Sequence, residues 1–165
     1  MMEPTVLGQL VDEHAAALEL YARQWCAAPE DVVQEAFLKL MTQSRMPRNV
    51  VPWLFRVVRN QAINVWRSAQ RRRKHETLAA EKQPQCFFGE AAAALDGEAA
   101  THALKSLPAE QREVITLHLW GGLTFAEIAE VIDSSASTVH RGYLAGLNHL
   151  RERLDVPCPN PMKNR

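Results

Sequence analysis

The chain has 165 residues, 47% of them apolar, with 19 basic and 19 acidic side chains and so no formal net charge. Such a chain makes one or two small globular domains. No apolar run approaches the roughly 20 residues of a membrane span, so membrane insertion is not expected. Cys26, Cys86 and Cys158 are too few and too scattered for a disulfide framework or a Cys-x-x-Cys metal site, so neither a metal nor another cofactor is expected.

In chain order the periodicity is helical nearly throughout, and no alternating strand pattern occurs. Leu7, Leu10, Val11, His14, Leu18 and Tyr21 lie on one stripe of a first helix over residues 6–26. Pro29 suits the first position of a second helix, and Glu30 and Asp31 favour its positive end. That helix runs to about residue 43, with Val32, Val33, Ala36, Phe37, Leu40 and Met41 on its apolar face. Asp31, Gln34, Glu35 and Leu38 make the opposite stripe.

A loop over 44–51 leads to Pro52, which opens a long helix to about Ala69. Leu54, Val57, Val58, Gln61 or Ala62, and Val65 form its core stripe. Arg56, Arg59, Asn60, Ile63, Asn64 and Arg67 lie on the other side. Residues 76–96, with Pro84, Gly89 and a run of alanines, read as a linker, in which Cys86-Phe-Phe is out of place. A short helix over 99–107 follows, then one over 108–120 anchored by Val114, Ile115, Leu117 and Leu119.

Thr124 with Glu127 is a capping box, and Phe125, Ile128, Ala129 and Ile132 share a face. Asp133-Ser-Ser interrupts this pattern and caps a further helix through Val139, Tyr143 or Leu144, Leu147 and Leu150. Helix, short polar turn and helix make a unit that can present its second helix to the major groove of DNA. Ser137, Thr138, His140 and Arg141 at the start of that helix can reach phosphates or base edges. Gly142, Ala145 and Gly146 offer the groove little. Pro157, Pro159 and Pro161 end the helix, and a disordered tail over 155–165 is expected.

Charge is segregated despite its zero sum. Residues 1–40 carry Glu3, Asp12, Glu13, Glu19, Glu30, Asp31 and Glu35 against Arg23 and Lys39. Residues 45–75 carry Arg45, Arg48, Arg56, Arg59, Arg67, Arg71, Arg72, Arg73 and Lys74 and no acid. A block that one-sided makes a local positive field. With Trp53, Phe55 and Trp66 interleaved it suits nucleic acid, although Trp53 reads better as a core anchor. No nucleophile, metal cluster or phosphate-cradling glycine loop is present, so the chain is not expected to be an enzyme. The first five residues lack the basic-then-apolar pattern of a signal peptide, so cytoplasmic residence is expected.

Four segments occur in a telling order: Pro29-Glu-Asp-Val-Val-Gln-Glu-Ala-Phe-Leu-Lys-Leu, Trp53-Leu-Phe-Arg-Val-Val-Arg-Asn, Leu107-Pro-Ala-Glu-Gln-Arg-Glu-Val-Ile-Thr-Leu, and Gly122-Leu-Thr-Phe-Ala-Glu-Ile-Ala. Together they closely resemble the bacterial extracytoplasmic-function (ECF) sigma factors of RNA polymerase, over about residues 5–75 and 97–154. The resemblance implies an all-α chain of two small helical domains joined by a flexible linker. Residues 5–75 would be sigma domain 2, 76–96 the linker, and 97–154 sigma domain 4 with its helix-turn-helix.

It further implies core RNA polymerase (the β′ clamp helices and the β flap), promoter DNA and an anti-sigma factor as partners. Asp31, Gln34, Glu35 and Leu38 would dock on the clamp helices. Arg56, Arg59, Asn60, Asn64 and Arg67, with the loop holding Ser68, Gln70, Arg71 and Arg72, would engage the −10 element and its non-template strand. Ser137, Thr138, His140, Arg141 and Leu144 would read the −35 element. A second reading is a stand-alone helix-turn-helix regulator that binds duplex DNA as a dimer.

Overall fold

The computed structural model describes residues 4–76 and 103–154. The expected linker and tail, including Cys86-Phe-Phe, lie outside the described residues. Every regular element among those described is an α-helix: α1 (Pro4–Ala22), α2 (Pro29–Met41), α3 (Val50–Glu76), α4 (Ala109–Leu119), α5 (Phe125–Ile132) and α6 (Ala136–Leu154). A helical turn at 103–105 precedes α4.

Local chemistry sets the ends of these helices. Pro29 occupies the first turn of α2, where its missing N–H costs nothing, and Glu30 and Asp31 stand at the helix's positive end. Thr124 caps α5 through the expected capping box: its Oγ1 accepts from the Glu127 N–H, and the Thr124 N–H donates to Glu127 Oε2 at 2.9 Å. Asp133 closes α5 in the left-handed conformation, φ 57°, which aspartate tolerates better than most residues. Ser135 Oγ then accepts from the Thr138 N–H at 3.2 Å and caps α6.

Two expectations are corrected here. First, α3 is longer than expected at both ends. Pro52 lies within its first turn rather than at its start, and residues 68–72 continue the helix instead of forming a loop. Second, four apolar side chains assigned to apolar stripes or anchors face solvent: Val11, Met41, Val65 and Leu119 are 36%, 51%, 45% and 53% exposed. Met41 and Leu119 are the last residues of their helices, where periodicity says nothing about cover.

The two helical regions pack against each other. α3 rests on α1 and α2 along one side and on α5 along another, and α1 also touches α4. One apolar core runs through both regions, with Tyr21, Phe37, Leu54, Phe55 and Val58 joined to Val114, Leu117, Leu123 and Ile128. A smaller cluster sets Leu20 of α1 among Leu104, Leu107 and Ile115. Burying each such side chain contributes about 1.5–3 kcal/mol, so the shared core is a substantial adhesive.

Candidate protein- and nucleic-acid-binding faces

The first face is on α2. Val32, Val33, Ala36, Phe37 and Leu40 are buried against α1 and α3, which leaves Asp31, Gln34, Glu35 and Leu38 together on the solvent side. Leu38 is 54% exposed. One turn further on, the uncovered Met41 extends the same strip, so an acidic edge flanks a small apolar patch. Glu35 pairs with Lys39 at 3.5 Å, an exposed contact of little energetic weight.

The second face is on α3. Leu54, Phe55, Val58 and Ala62 are buried, and Arg56, Asn60, Asn64, Arg67 and Arg71 are exposed. At 100° per residue these five fall within about 80° of one another, a row roughly 22 Å long. On the same count Ser68 and Arg72 lie only about 40° and 80° beyond the edge of that row. Arg71 donates to Ser68 Oγ at 3.1 Å. Trp53 packs against the core, whereas Trp66 is 38% exposed.

Arg59 differs from its neighbours. Its side chain is about three-quarters buried, and its Nε donates to Glu113 Oε1 of α4 at 2.7 Å. Tyr21 Oη of α1 donates to the same oxygen at 2.6 Å. Glu113 is itself 7% exposed. Burial, then the Glu113 charge, pushes the Tyr21 phenol well above its ordinary range. Bonding to Glu113 raises the Arg59 guanidinium against its burial. Neither Tyr21 nor Glu113 stood out in the sequence, because nothing there indicates that α1, α3 and α4 meet.

The third face is the start of α6. Ser137, Thr138, His140, Arg141 and Leu144 are exposed, while Val139 between them is buried. The Thr138 hydroxyl sits 2.8 Å from Ser135 Oγ and 3.4 Å from Arg141 Nη2. The small residues have another role than the one inferred from sequence. Gly146 is buried, and a Cβ there would lie 2.5 Å from Ile115 Cδ1. A Cβ at Gly142 would meet Val114 Cγ2 at 3.9 Å. These glycines face α4 rather than the exposed side, so they let two helices close up and remove nothing from the face that Arg141 shares.

An aromatic cluster holds the helix pair in register. His118 of α4 stacks on Phe125 of α5 at 4.7 Å and meets the Tyr143 edge at 4.8 Å. Its Nδ1 donates to the Leu123 carbonyl at 2.8 Å, since that oxygen can only accept. His140 packs on Phe125 at 5.0 Å. No helix among the described residues is long and apolar enough to cross a membrane.

Comparison with known proteins adds independent findings. Residues 10–72 match the family Sigma-70 region 2, and residues 97–150 match Sigma-70, region 4. The ECF RNA polymerase sigma factor SigL of Mycobacterium tuberculosis is 35% identical over 145 residues, covering 83% of this chain and 82% of that protein. A probable RNA polymerase sigma factor of Xanthomonas campestris, RfaY, is 29% identical over 154 residues, covering 85% of this chain and 38% of that protein. Among solved structures, the sigma factor RpoE in complex with the anti-sigma factor NepR from Bartonella quintana has the same fold. Its TM-score is 0.72 at 23% identity, with 94% of this chain and all of that one covered. CnrH in complex with the cytosolic domain of CnrY gives a TM-score of 0.62 at 24% identity, with 94% and 92% covered.

Proposed function

This chain belongs to the ECF sigma factors of RNA polymerase, and we propose that its three exposed faces divide the work of promoter-specific initiation among them. Sigma function brings core RNA polymerase and promoter DNA with it as partners. A stand-alone dimeric regulator is not favoured, because both sigma regions are present in order.

In our reading, domain 2 is formed by residues 5–75 and domain 4 by residues 97–154. Asp31, Gln34, Glu35 and Leu38, joined by Met41, dock on the polymerase clamp. An acidic rim steers toward a basic partner and the apolar centre supplies affinity. Arg56, Asn60, Asn64, Arg67 and Arg71 line the track for the −10 region and its opened strand, with Arg59, Ser68, Gln70 and Arg72 beside it. Arginines neutralise phosphate, and asparagines offer both donor and acceptor to unpaired base edges. Ser137, Thr138, His140, Arg141 and Leu144 read the −35 region from the major groove.

Unstacking a duplex costs a few kcal/mol per step, and capture of the opened strand on the basic row offsets it. Joining two modest contacts by a linker raises the effective concentration of the second once the first has formed. The polymerase performs the chemistry, so the chain acts in the cytoplasm and is not itself an enzyme. An anti-sigma factor is proposed as a further partner, since the solved relatives RpoE and CnrH are held in complexes of that kind or with a cytosolic partner domain.

The observation that carries this reading is the coexistence of an exposed acidic-apolar face on α2 with an acid-free exposed row on α3. The test is transcription from fragmented genomic DNA by core polymerase with and without the purified chain, with start sites mapped. Dependent starts sharing two upstream motifs about 25 bp apart are expected. No chain-dependent start would reject the function.

A further inference from the structure

The contact between α3 and α5 is not filled everywhere. A cavity of about 360 Å³ lies there, with Arg48, Trp53 and Arg56 on the α3 side and Glu130 and Val131 on the α5 side. Among the described residues neither of these arginines nor Glu130 makes an ion pair. Arg59, by contrast, is neutralised by Glu113 at 2.7 Å. At the cavity, opposite charges face one another across a gap that neither side closes.

The lining restricts what fits. Two guanidiniums together favour an anion, and a phosphate takes bidentate bonds from them. Trp53 packs on the core yet also borders the cavity, and an indole wall favours a flat ring stacked against it. The Glu130 carboxylate can only accept, so the ring has to present N–H donors to it. The volume sits at the low end of the roughly 300–1,000 Å³ of small-molecule sites, well above what an inorganic ion fills. A phosphate at one end and a planar N–H edge at the other describe a nucleotide. Guanine offers its ring N–H and its amino group side by side to a carboxylate. Adenine offers one amino donor beside a ring nitrogen whose lone pair repels the second oxygen.

We propose that this cavity binds a free guanine mononucleotide, with phosphate on Arg48 and Arg56, the base against Trp53 and its donor edge on Glu130. Arg56 also belongs to the exposed row proposed for the −10 region. Resting on the sigma reading, nucleotide and opened DNA strand therefore compete for it. Nucleotide lowers the affinity for the strand, and the strand by reciprocity expels the nucleotide. Asp31, Gln34, Glu35 and Leu38 take no part in the cavity, so docking on core polymerase is left untouched.

The test titrates the full chain with GMP, AMP and inorganic phosphate by calorimetry, using Arg48→Ala and Glu130→Gln as variants. Both side chains are exposed, so helix content should match wild type. GMP is expected to bind one to one with a Kd below about 300 μM, at least about fivefold tighter than AMP and about tenfold tighter than phosphate. Arg48→Ala should weaken GMP roughly tenfold, and Glu130→Gln should bring GMP down to the AMP level. No saturation by about 1 mM, equal affinity for GMP and AMP, or indifference to both substitutions would overturn the site. Anisotropy of a labelled mixed-sequence single-stranded 15-mer reads the competition. Saturating GMP should weaken 15-mer binding roughly three- to tenfold, with AMP at the same concentration as control. GMP that binds without displacing the 15-mer overturns the competition. Loss of 15-mer affinity in Glu130→Gln without any GMP binding would put a strand base in the cavity and overturn the free-nucleotide site. Retention on immobilised core polymerase is scored separately. Failure of GMP binding with core retention intact rejects only this inference, while no core retention by any form rejects the sigma reading itself.

Discussion

Gly142 and Gly146 sit one turn apart on α6 and face α4, yet they have opposite tolerances. A Cβ at Gly142 meets Val114 at 3.9 Å, an ordinary contact, whereas one at Gly146 would lie 2.5 Å from Ile115 Cδ1 and 3.3 Å from Gln111 Cβ. Alanine in a helix interior gains about 1 kcal/mol over glycine, and overpacking costs about 1–3 kcal/mol. Gly142→Ala is therefore expected to raise stability by about 0.5–1 kcal/mol, and Gly146→Ala to lower it by about 1 kcal/mol, by urea unfolding. The opposite order would show that α6 does not pack on α4 as described. From sequence alone these small residues fall on the DNA side, because a glycine carries no sign of which neighbour it admits. Arg59 is a similar case. Its place in an acid-free stretch pointed to nucleic acid, and nothing local announced a carboxylate 54 positions away.

At the level of single helices, legibility follows how local the cause is. The capping box at Thr124, the proline start of α2 and the buried stripe of α2 depend on contacts within one or two turns, and all are readable from spacing. The length of α3 was not, because Arg71–Glu76 continues a helix without an apolar stripe to mark it. The α2 and α6 faces predict separable defects. Glu35→Lys reverses a charge on an exposed face and breaks only a surface pair with Lys39, so stability should stay within about 0.5 kcal/mol of wild type. Affinity for core polymerase should fall at least tenfold, read by competition with another sigma factor. Arg141→Ala should leave core affinity intact and lower transcription most on promoters with a good −35 match. An equal loss on promoters lacking that match would remove Arg141 from base or phosphate reading. If Glu35→Lys left core affinity unchanged, the docking face would have to be sought elsewhere, with the uncovered Val65 and Trp66 of α3 the next candidates.

For the whole molecule, the decisive fact is that one apolar core crosses between regions that the sequence separates by a long linker-like segment. Periodicity gave each region its buried face and gave no sign that Leu20 meets Ile115, or Phe55 the turn at Gly121. A shared core has a measurable consequence: the chain should unfold in urea as one cooperative unit, with helix loss and tryptophan fluorescence coincident. Trp25, Trp53 and Trp66 report from one region and Trp120 from the other, so non-coincident curves would mean that the regions melt independently. The buried phenol adds a pH signature. Burial and the Glu113 charge raise the Tyr21 pKa, so the native state holds a proton that the unfolded chain releases near the ordinary value of about 10. The stabilisation is therefore complete below pH 10 and is lost as pH climbs above it, because there the unfolded state binds fewer protons than the native one. The urea midpoint of wild type should decline above pH 10 more steeply than that of Tyr21→Phe, which cannot ionise. Parallel alkaline slopes would mean that Tyr21 ionises as freely in the native chain as in the unfolded one, and that the α1–α4 contact it makes with Glu113 is not formed in solution.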